Sequence, residues 1–566
     1  MQRTTLVAVA LSLPPLALPA APRAAIAQTR GPRFEITVPA ALRAEPVTGR
    51  VFVFLSRTRE PEPRLQGGGF SASVPFFGAD VEQLAPGRAA AIDASTLGYP
   101  TASLRDVLPG DYYVQALLTV YTRFARADGH VIWAHADQWE GQEFNTSPGS
   151  LVSDVRRVHL DAARGYTVRL ALARALPPVA LPSDTRYVKH VKIQSQLLTK
   201  FWGAPIYLGA TVLLPKGYDA EPQRLYPTVY EQGHFTLDPP FGFDPDGKPE
   251  TPEQRARRLQ RTAREPGYEF AQAWLADSFP RVVAVTFQHP TPYYDDSYAV
   301  NSANNGPYGD AILTELIPYL ETHFRLLRDP RARFLIGGST GGWEALALQV
   351  YHPDFFNGAW VLYPDPVDFR RYQLSNVYAD TSAFYVRRND WMRSEIPAAR
   401  SPDGQPVVTM REESQLEAVR GSHARSGEQL NGWESVFAPV GPDGYPRELW
   451  DKRTGTIDHA VAESMRAHDY DIRDYLQRNW ATLGPALQGK LKLYVGDDDN
   501  YFLNLAVYLL EDFLRGTTNP RSDATFEYGR PTKPHGWQPV TNAEFIRQMD
   551  ARWRTTGTQT TSRQQQ

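Results

Sequence analysis

A glycine-rich pentapeptide with a central serine is the segment of this chain best suited to covalent chemistry. Gly337, Ser339 and Gly341 form the pattern Gly-x-Ser-x-Gly between an apolar run (334–336) and an alanine- and leucine-rich run (343–351). A serine at a tight turn from a strand into a helix has a strained backbone and an exposed hydroxyl, and flanking glycines avoid steric clashes. The pattern predicts Ser339 as a nucleophile, and a purely structural turn is the alternative.

A serine nucleophile needs a base to accept its proton, and histidine most often serves. Five of the twelve histidines follow Ser339, and only His535 comes after the last predicted strand. His535 lies between a proline and a glycine, ahead of a helix that Thr541 and Glu544 would cap. This loop position is not typical of a core histidine, so we predict His535 as the base.

The base in turn needs a carboxylate that orients it and stabilises its positive charge. Three adjacent aspartates, 497 to 499, follow the apolar run KLKLYV at residues 490–495. Capping of the next helix or binding of a cation would explain one or two of them, but not their place directly after a strand. We predict Asp499 as the acid and keep Asp497 as its competitor.

Attack on a carbonyl produces an oxyanion that two backbone amides usually stabilise. One amide belongs to the residue after the nucleophile, Thr340. The other comes from a loop after an earlier strand, and the segment YEQGHF at 230–235 is suitably placed. The amide of His234 or of Phe235 is therefore the predicted second donor.

Eight short apolar runs from residue 188 onward provide the elements that must position these groups. They lie at 188–195, 206–214, 228–230, 282–285, 334–336, 359–362, 491–495 and 524–527. Helices are predicted between them, at 269–277, at 310–327 and after the serine. Such alternation predicts a mostly parallel eight-stranded sheet covered by helices, with an antiparallel lead-in pair.

The remaining segments have different patterns. In residues 30–175 apolar and polar side chains alternate with period two, which predicts an N-terminal all-β sandwich. The proline-rich segment 176–186 is predicted to be a linker. Residues 187–555 form the predicted catalytic domain, and its long insertion at 364–489, rich in charge and aromatic residues, is expected to cover the pocket. The polar tail, 556–566, is predicted to be disordered.

Composition and the N-terminus restrict the location and the partners. The 566 residues carry 60 basic and 63 acidic side chains, a net charge of -3, which predicts no nucleic-acid partner. Residues 1–27 read as a secretory signal peptide, so we expect export to the periplasm or medium without a remaining membrane segment. The absence of cysteine excludes a thiol nucleophile, disulfides and thiolate metal sites.

Several longer motifs resemble a known family. The run 297–356, the segments LLPKGY (213–218) and YPTVYEQGHF (226–235), the aspartates after Val495 and the final His-Gly-Trp (535–537) carry the likeness. Together they resemble the putative-esterase family, which includes esterase D (S-formylglutathione hydrolase), feruloyl esterases and enterochelin esterases, over about residues 188 to 553. The resemblance implies an α/β-hydrolase fold with Ser339, Asp499 and His535 as the catalytic triad. The chain departs from it by Gln-Gly-His-Phe where many members have His-Gly-Gly.

These observations lead to two functional hypotheses. The first is a secreted serine esterase that forms an acyl-enzyme on Ser339 and acts on polysaccharide-linked or phenolic esters, without a cofactor or a metal. The second is a non-catalytic protein with a hydrolase-like core that binds a glycan or another protein. The ordered serine, aspartate and histidine favour the first.

Overall fold

The computed structural model describes residues 31–69, 73–387 and 391–563. The predicted signal peptide, residues 1–27, lies outside this range, as do the last three residues of the predicted tail. Among the described residues, no helix combines the length and the apolar character needed to cross a membrane.

The N-terminal segment, which we call the β-domain, consists of strands. They are β1 (Arg33–Thr37), β2 (Val47–Ser56), β3 (Phe76–Leu84), β4 (Ala89–Asp93), β5 (Gly98–Tyr99), β6 (Gly110–Val120), β7 (Thr122–Ala125), β8 (Val131–Ala134), β9 (Leu151–Ser153), β10 (Arg156–Leu160) and β11 (Thr167–Ala175). The main path has the order β4-β1-β11-β9-β6-β2-β3-β5, with β10 on β6. Alternating residues of β1, β4 and β11 share one apolar core with β2 and β6.

Hydrogen bonds connect the main strands of the β-domain in one continuous order. Strand β11 pairs with β1 over residues 167–171 and with β9 over residues 172–175, across a register shift. One strand therefore belongs to both parts of the domain and joins them. The described segment that follows, residues 176–187, contains neither helix nor strand.

The following α/β domain begins with eight strands and six helices. The strands are β12 (Val188–Ser195), β13 (Ile206–Leu213), β14 (Thr228–Gln232), β15 (Val283–Gln288), β16 (Asn301–Ser302), β17 (Gly306–Pro307), β18 (Arg333–Gly338) and β19 (Ala359–Leu362). The helices are α1 (Gln196–Trp202), α2 (Pro252–Arg261), α3 (Gly267–Trp274), α4 (Tyr308–Ala311), α5 (Ile317–His323) and α6 (Thr340–Tyr351). A π-helical turn, Ile312–Leu316, joins α4 to α5.

The insertion and the C-terminal part complete the chain. The insertion contains β20 (Tyr385–Arg387), β21 (Arg393–Glu395), β22 (Pro397–Arg400), β23 (Pro406–Thr409), α7 (Met410–Arg420), α8 (Gln429–Phe437), α9 (His459–Ala467) and α10 (Ile472–Ala486). After it come β24 (Leu491–Gly496), α11 (Asn504–Arg515), β25 (Thr525–Gly529) and α12 (Asn542–Arg563). Helix α12 continues past residue 555, so residues 556–563 are helical where the sequence predicts disorder. Extending a helix that its buried first half has already nucleated costs little.

The central sheet has the order β12-β13-β15-β14-β18-β19-β24-β25. Each of the eight apolar runs is one of these strands. The sheet is mixed, because β12, β13 and β15 pair antiparallel whereas the other neighbours pair parallel. Every residue of β15 and β19 is buried, as expected for strands covered on both faces.

The register of the parallel strands decides which loops meet. Gln232 of β14 pairs with Gly337, and Gly338 of β18 pairs with Leu362 of β19. Leu362 lies beside Tyr494 of β24. Since parallel strands end at the same edge, the loops after β14, β18, β19 and β24 converge there. These loops contain His234, the serine, an aspartate at 365 and the aspartates at 497–499.

The β-domain packs against the α/β domain and its insertion. The β7–β8 hairpin contributes Phe124 and Ile132 to the core of the α/β domain, and the Phe124 ring lies 5.0 Å from that of Trp202. On the other side, buried Arg50 of β2 donates from Nε to the carbonyl oxygen of Val419 in α7 at 2.9 Å. The sequence pattern does not reveal this docking, which brings two β-domain loops to the convergent edge of the sheet.

Candidate active site

Ser339 lies at the turn between β18 and α6 in a strained conformation. Its φ and ψ angles are 60° and -123°, a region that residues with a side chain rarely adopt. A Cβ at Gly337 would lie 2.2 Å from the carbonyl oxygen of Gly341, and one at Gly341 would lie 2.0 Å from that of Gln232. Both glycines are therefore required by close backbone contacts, as the motif predicts.

Gly341→Ala should consequently destabilise the protein. The new methyl group would collide with backbone rather than with a movable side chain, and overpacking of this kind costs about 1–3 kcal/mol. Urea unfolding of the variant measures the loss. Gly516→Ala is the control, because its Cβ would make ordinary contacts at 3.4 Å. Equal unfolding midpoints for both variants would contradict the predicted turn packing.

The structure brings His535 and Asp499 together. His535 Nδ1 lies 2.8 Å from Asp499 Oδ2. Asp499 is fully buried, and its other oxygen accepts the amides of Tyr501 at 2.9 Å and Leu503 at 3.3 Å. The turn after β24 thus holds the carboxylate at the imidazole, which leaves Nε2 free for proton transfer.

Asp497, the competing acid, has other partners. Its carboxylate accepts hydrogen bonds from Tyr508 Oη at 2.5 Å and from Arg530 Nε. Asp498 pairs with Arg400 at 3.0 Å. The three adjacent aspartates therefore have different side-chain partners. In the described part of the chain, Asp499 is the one whose carboxylate contacts the His535 imidazole.

The environment of His535 favours its charged form. Burial lowers the pKa of the imidazole, but the Asp499 carboxylate, assisted by Asp365, raises the pKa above its ordinary value. The rings of Tyr363 and Tyr501 contact the imidazole edge to face, at 4.8 and 5.0 Å. These contacts fix the ring position, and the carboxylate stabilises the imidazolium that proton transfer would produce.

The hydroxyl of Ser339 has an unexpected partner. Ser339 Oγ donates to Asp365 Oδ1 at 3.4 Å. Among the described residues, no hydrogen bond links it to His535, although both line the same cavity. Asp365 is therefore the hydrogen-bond acceptor of the Ser339 hydroxyl in this structure.

Asp365 is the site residue that sequence reasoning missed. It is 2% exposed, and its Oδ2 accepts from Tyr298 Oη at 2.8 Å and from Thr340 Oγ1 at 3.0 Å. Gln429 Nε2 at 3.0 Å and Trp433 Nε1 at 3.1 Å, both from α8, donate to the same oxygen. Its position three residues after β19, at the edge where the other site residues lie, was the available signal.

The predicted oxyanion donors differ in their availability. The amide of Thr340 is at the start of α6, where a helix leaves its first amides without internal partners. The amide of Phe235 donates to Asp296 Oδ2 at 2.8 Å, so that donor is already engaged. His234 lines the cavity and remains the candidate for the second amide.

The His234 side chain extends the network behind the serine. Its Nε2 lies 3.1 Å from Thr340 Oγ1, and its Nδ1 lies 3.3 Å from Asp296 Oδ2 and 3.5 Å from Asp295 Oδ1. Burial opposes the charge, but the two carboxylates raise the pKa of His234 well above its ordinary value. The two carboxylates thus favour the charged form of an imidazole that contacts the residue after Ser339.

Three parts of the chain line the cavity, which has a volume of about 500 Å³. The α/β domain outside the insertion supplies His234, Ser339, Tyr501, Leu503 and His535. The insertion supplies Asp365, Gln373, Glu413, Arg420, residues 427–429 and Trp433, and the β-domain supplies residues 67–69 and 142–145. Residues of the insertion therefore form part of the cavity wall. The share of the β-domain was not predicted, since its loops are about 200 to 270 residues before Ser339.

Two groups of side chains have the composition of a metal site. The donor atoms of His135, Asp137 and Glu140 lie within 4.8 Å of one another, and so do those of His234, Asp295 and Asp296. In the first group His135 Nε2 lies 2.7 Å from Glu140 Oε1, an ion-pair distance. The third member of the first group, Asp137, accepts the amides of Trp139 at 2.8 Å and Gly141 at 3.1 Å. In the second group, His234 contacts Thr340, Asp295 and Asp296.

The similarity of this chain to known proteins is distant. No curated protein matches the chain. Among solved structures, a ferulic acid esterase is 16% identical, with 65% of this chain and 96% of that chain covered and a TM-score of 0.30. An S-formylglutathione hydrolase from Agrobacterium tumefaciens is 13% identical, covers 65% and 94%, and has a TM-score of 0.29. Similarity at these scores supports no conclusion by itself.

A match to a protein-family model is more informative. Residues 208–369 match the model of the family described as "Putative esterase". The matched segment runs from β13 past the strained serine to Asp365, so it contains the nucleophile turn and the loop of His234. Residues 208–369 are therefore similar to the putative-esterase family, within a chain whose central sheet has the mixed order described above.

Proposed function

We propose that this protein is a serine esterase that hydrolyses carboxylic esters through an acyl-enzyme on Ser339. The observation that carries the proposal is the 2.8 Å contact between His535 Nδ1 and Asp499 Oδ2 at the cavity that the strained serine lines. A serine, an oriented histidine and a buried carboxylate are the parts of a nucleophilic hydrolase. The match of residues 208–369 to an esterase family model supports the same chemistry.

In the proposed reaction His535 Nε2 accepts the proton of Ser339 Oγ while Oγ attacks the ester carbonyl carbon. The amides of Thr340 and His234 donate to the oxyanion that develops. His535 then returns the proton to the leaving alcohol, and the acyl group remains on Ser339. A water molecule, deprotonated by His535, attacks the acyl carbon, and the acid leaves as the serine regains its proton.

The substrate and the location are finer parts of the proposal. Loops of the β-domain and the insertion line the cavity together, which supports an extended substrate such as an ester on a polysaccharide or a phenolic group. The apolar N-terminal run supports export. A hydrolysis screen over acetyl esters, feruloyl esters and glutathione thioesters identifies the acyl preference.

A fluorophosphonate probe tests the central proposal, because it reacts only with an activated serine. Trypsin should release residues 334–370 as one peptide, in which Ser339 is the only serine. We expect the adduct on this peptide, and none after heat denaturation. An unlabelled peptide in the folded protein, together with no turnover in the screen, would reject the esterase and favour the non-catalytic glycan- or protein-binding alternative.

A further inference from the structure

The proposed mechanism leaves one buried charge at the site without a role. Asp365 lies beside the nucleophile and accepts four hydrogen bonds on Oδ2, from Tyr298, Thr340, Gln429 and Trp433. Trp433 Nε1 and Gln429 Nε2 can only donate, so this oxygen is an acceptor held in place from both the α/β domain and the insertion. A buried carboxylate is costly unless other groups compensate its charge.

Asp365 has no dedicated cation. In the part of the chain that the structure describes, no arginine or lysine forms an ion pair with it. The titratable groups that feel its charge are Tyr298, Glu344, Tyr372, Tyr501 and His535. Two imidazoles near Asp365 can become positive, and both have other carboxylate partners. His535 is paired with Asp499, and His234, which reaches Asp365 only through Thr340, is paired with Asp295 and Asp296. The negative charge of Asp365 is therefore open to a cation from outside the protein.

The two oxygens of Asp365 are used unequally. Oδ2 accepts four bonds, whereas Oδ1 accepts one bond, from Ser339 Oγ at 3.4 Å. This distance is at the long end of hydrogen bonds, and a carboxylate oxygen can accept more than one. Oδ1 thus retains acceptor capacity next to the atom that would attack the substrate.

The rest of the cavity wall is acidic too. Glu143, Glu413 and Glu428 line it with Asp365, and Arg420 is the one arginine or lysine among the described lining residues. Arg420 forms an ion pair with Glu428 and donates to the carbonyl oxygen of Gly68 at 3.1 Å. Glu428 therefore already neutralises the charge of Arg420. Burial raises the pKa of Glu413 to about 8, and a bound cation would favour its ionised form. His234 also lines the cavity, but its imidazole is paired with Asp295 and Asp296. The lining therefore suits a positively charged ligand.

We propose that the acyl group of the substrate carries a protonated amine on the carbon next to the ester carbonyl, and that this ammonium donates to Asp365 Oδ1. The inference rests on the proposed esterase function. Ser339 Oγ bonds to the carbonyl carbon, so a group on the adjacent carbon lies within reach of an acceptor 3.4 Å from Oγ. The ammonium replaces the serine as the donor to Asp365, and the hydroxyl becomes free to donate to His535. The alcohol part stays open, and a saccharide is compatible.

Three benzyl esters of equal shape test this inference. The 2-aminopropanoyl, 2-hydroxypropanoyl and 2-methylpropanoyl esters present an ammonium, a hydroxyl and a methyl group at the same position. At pH 7 we expect kcat/KM to be about 10- to 100-fold higher for the amino ester than for the methyl ester, the factor of a hydrogen bond to a charged group. The ratio should fall as the pH rises above about 8, where an α-amine loses its proton.

Asp365→Asn should remove most of this preference, because the amide has no charge. If that variant does not fold, competition in the wild-type protein replaces it: alaninamide should protect Ser339 from the fluorophosphonate at about a tenth of the concentration needed for isobutyramide. Equal kcat/KM for the three esters, or a preference that survives in Asp365→Asn, would overturn the ammonium inference. Turnover of the methyl ester would leave the esterase proposal intact, whereas failure of all three esters and of labelling would reject the esterase itself.

Discussion

Ser339→Ala is expected to lower kcat/KM for p-nitrophenyl acetate by about 10⁴- to 10⁶-fold. The variant lacks the only atom that can form the acyl-enzyme, while the amides that would stabilise the oxyanion remain. Residual turnover should come from transition-state binding alone. The fluorophosphonate adduct on residues 334–370 should disappear as well.

The fold should survive this change. Ser339 contributes one long hydrogen bond to Asp365 and little packing, so the thermal unfolding midpoint is expected to stay close to that of the wild type. Ser464→Ala on α9 is the matched control, since Ser464 lies on a helix outside the cavity, and its activity should equal that of the wild type. Activity retained by Ser339→Ala in a folded protein would disprove the assigned nucleophile.

Asp499→Asn is expected to lower kcat by about 10⁴-fold. With the other oxygen bonded to the amides of Tyr501 and Leu503, the new side-chain NH₂ group would face His535 Nδ1. The ring would then carry its proton on Nε2 and could not accept one from Ser339. Asp497→Asn is the control, because Asp497 bonds Tyr508 and Arg530 instead. A larger loss at residue 497 than at 499 would reverse the assignment.

The pH profile provides a second measurement of the same pair. The base must be neutral, so activity should rise with pH through the pKa of His535. Since Asp499 raises that pKa, we expect the acid limb of kcat/KM in the wild type to lie above the ordinary histidine pKa of about 6.5. The residual activity of Asp499→Asn should show this limb at lower pH, because the charge that stabilises the imidazolium is gone.

Much of the fold and most of the proposed triad were predictable from local patterns. Period-two and strand-helix patterns depend on neighbours along the chain, and every apolar run from residue 188 onward is a strand of the central sheet. The Gly-x-Ser-x-Gly motif needs its glycines because neighbouring backbone leaves no room for a Cβ. At Gly337 that backbone belongs to Gly341, and at Gly341 it belongs to Gln232 of β14. The choice of His535 used only chain order and its loop position.

Other features depended on contacts that no local pattern records. The sequence left Asp497 and Asp499 open, because their neighbours are nearly identical, and only the turn after β24 aims one of them at His535. The docking of the β-domain likewise depends on contacts such as Arg50 with Val419.

The sequence by itself determined the order of the reactive groups, the strands that carry them and the glycines that permit the nucleophile turn, since each follows from covalent neighbours and residue size. Only the tertiary structure decided that Asp365 would lie against Ser339 and that an acidic wall would surround them. That arrangement requires loops from the β-domain, the sheet edge and α8 to meet. The carboxyl groups of the cavity belong to Glu143, Asp365, Glu413 and Glu428, which are far apart in the sequence. Their mutual distances are set by packing rather than by spacing along the chain.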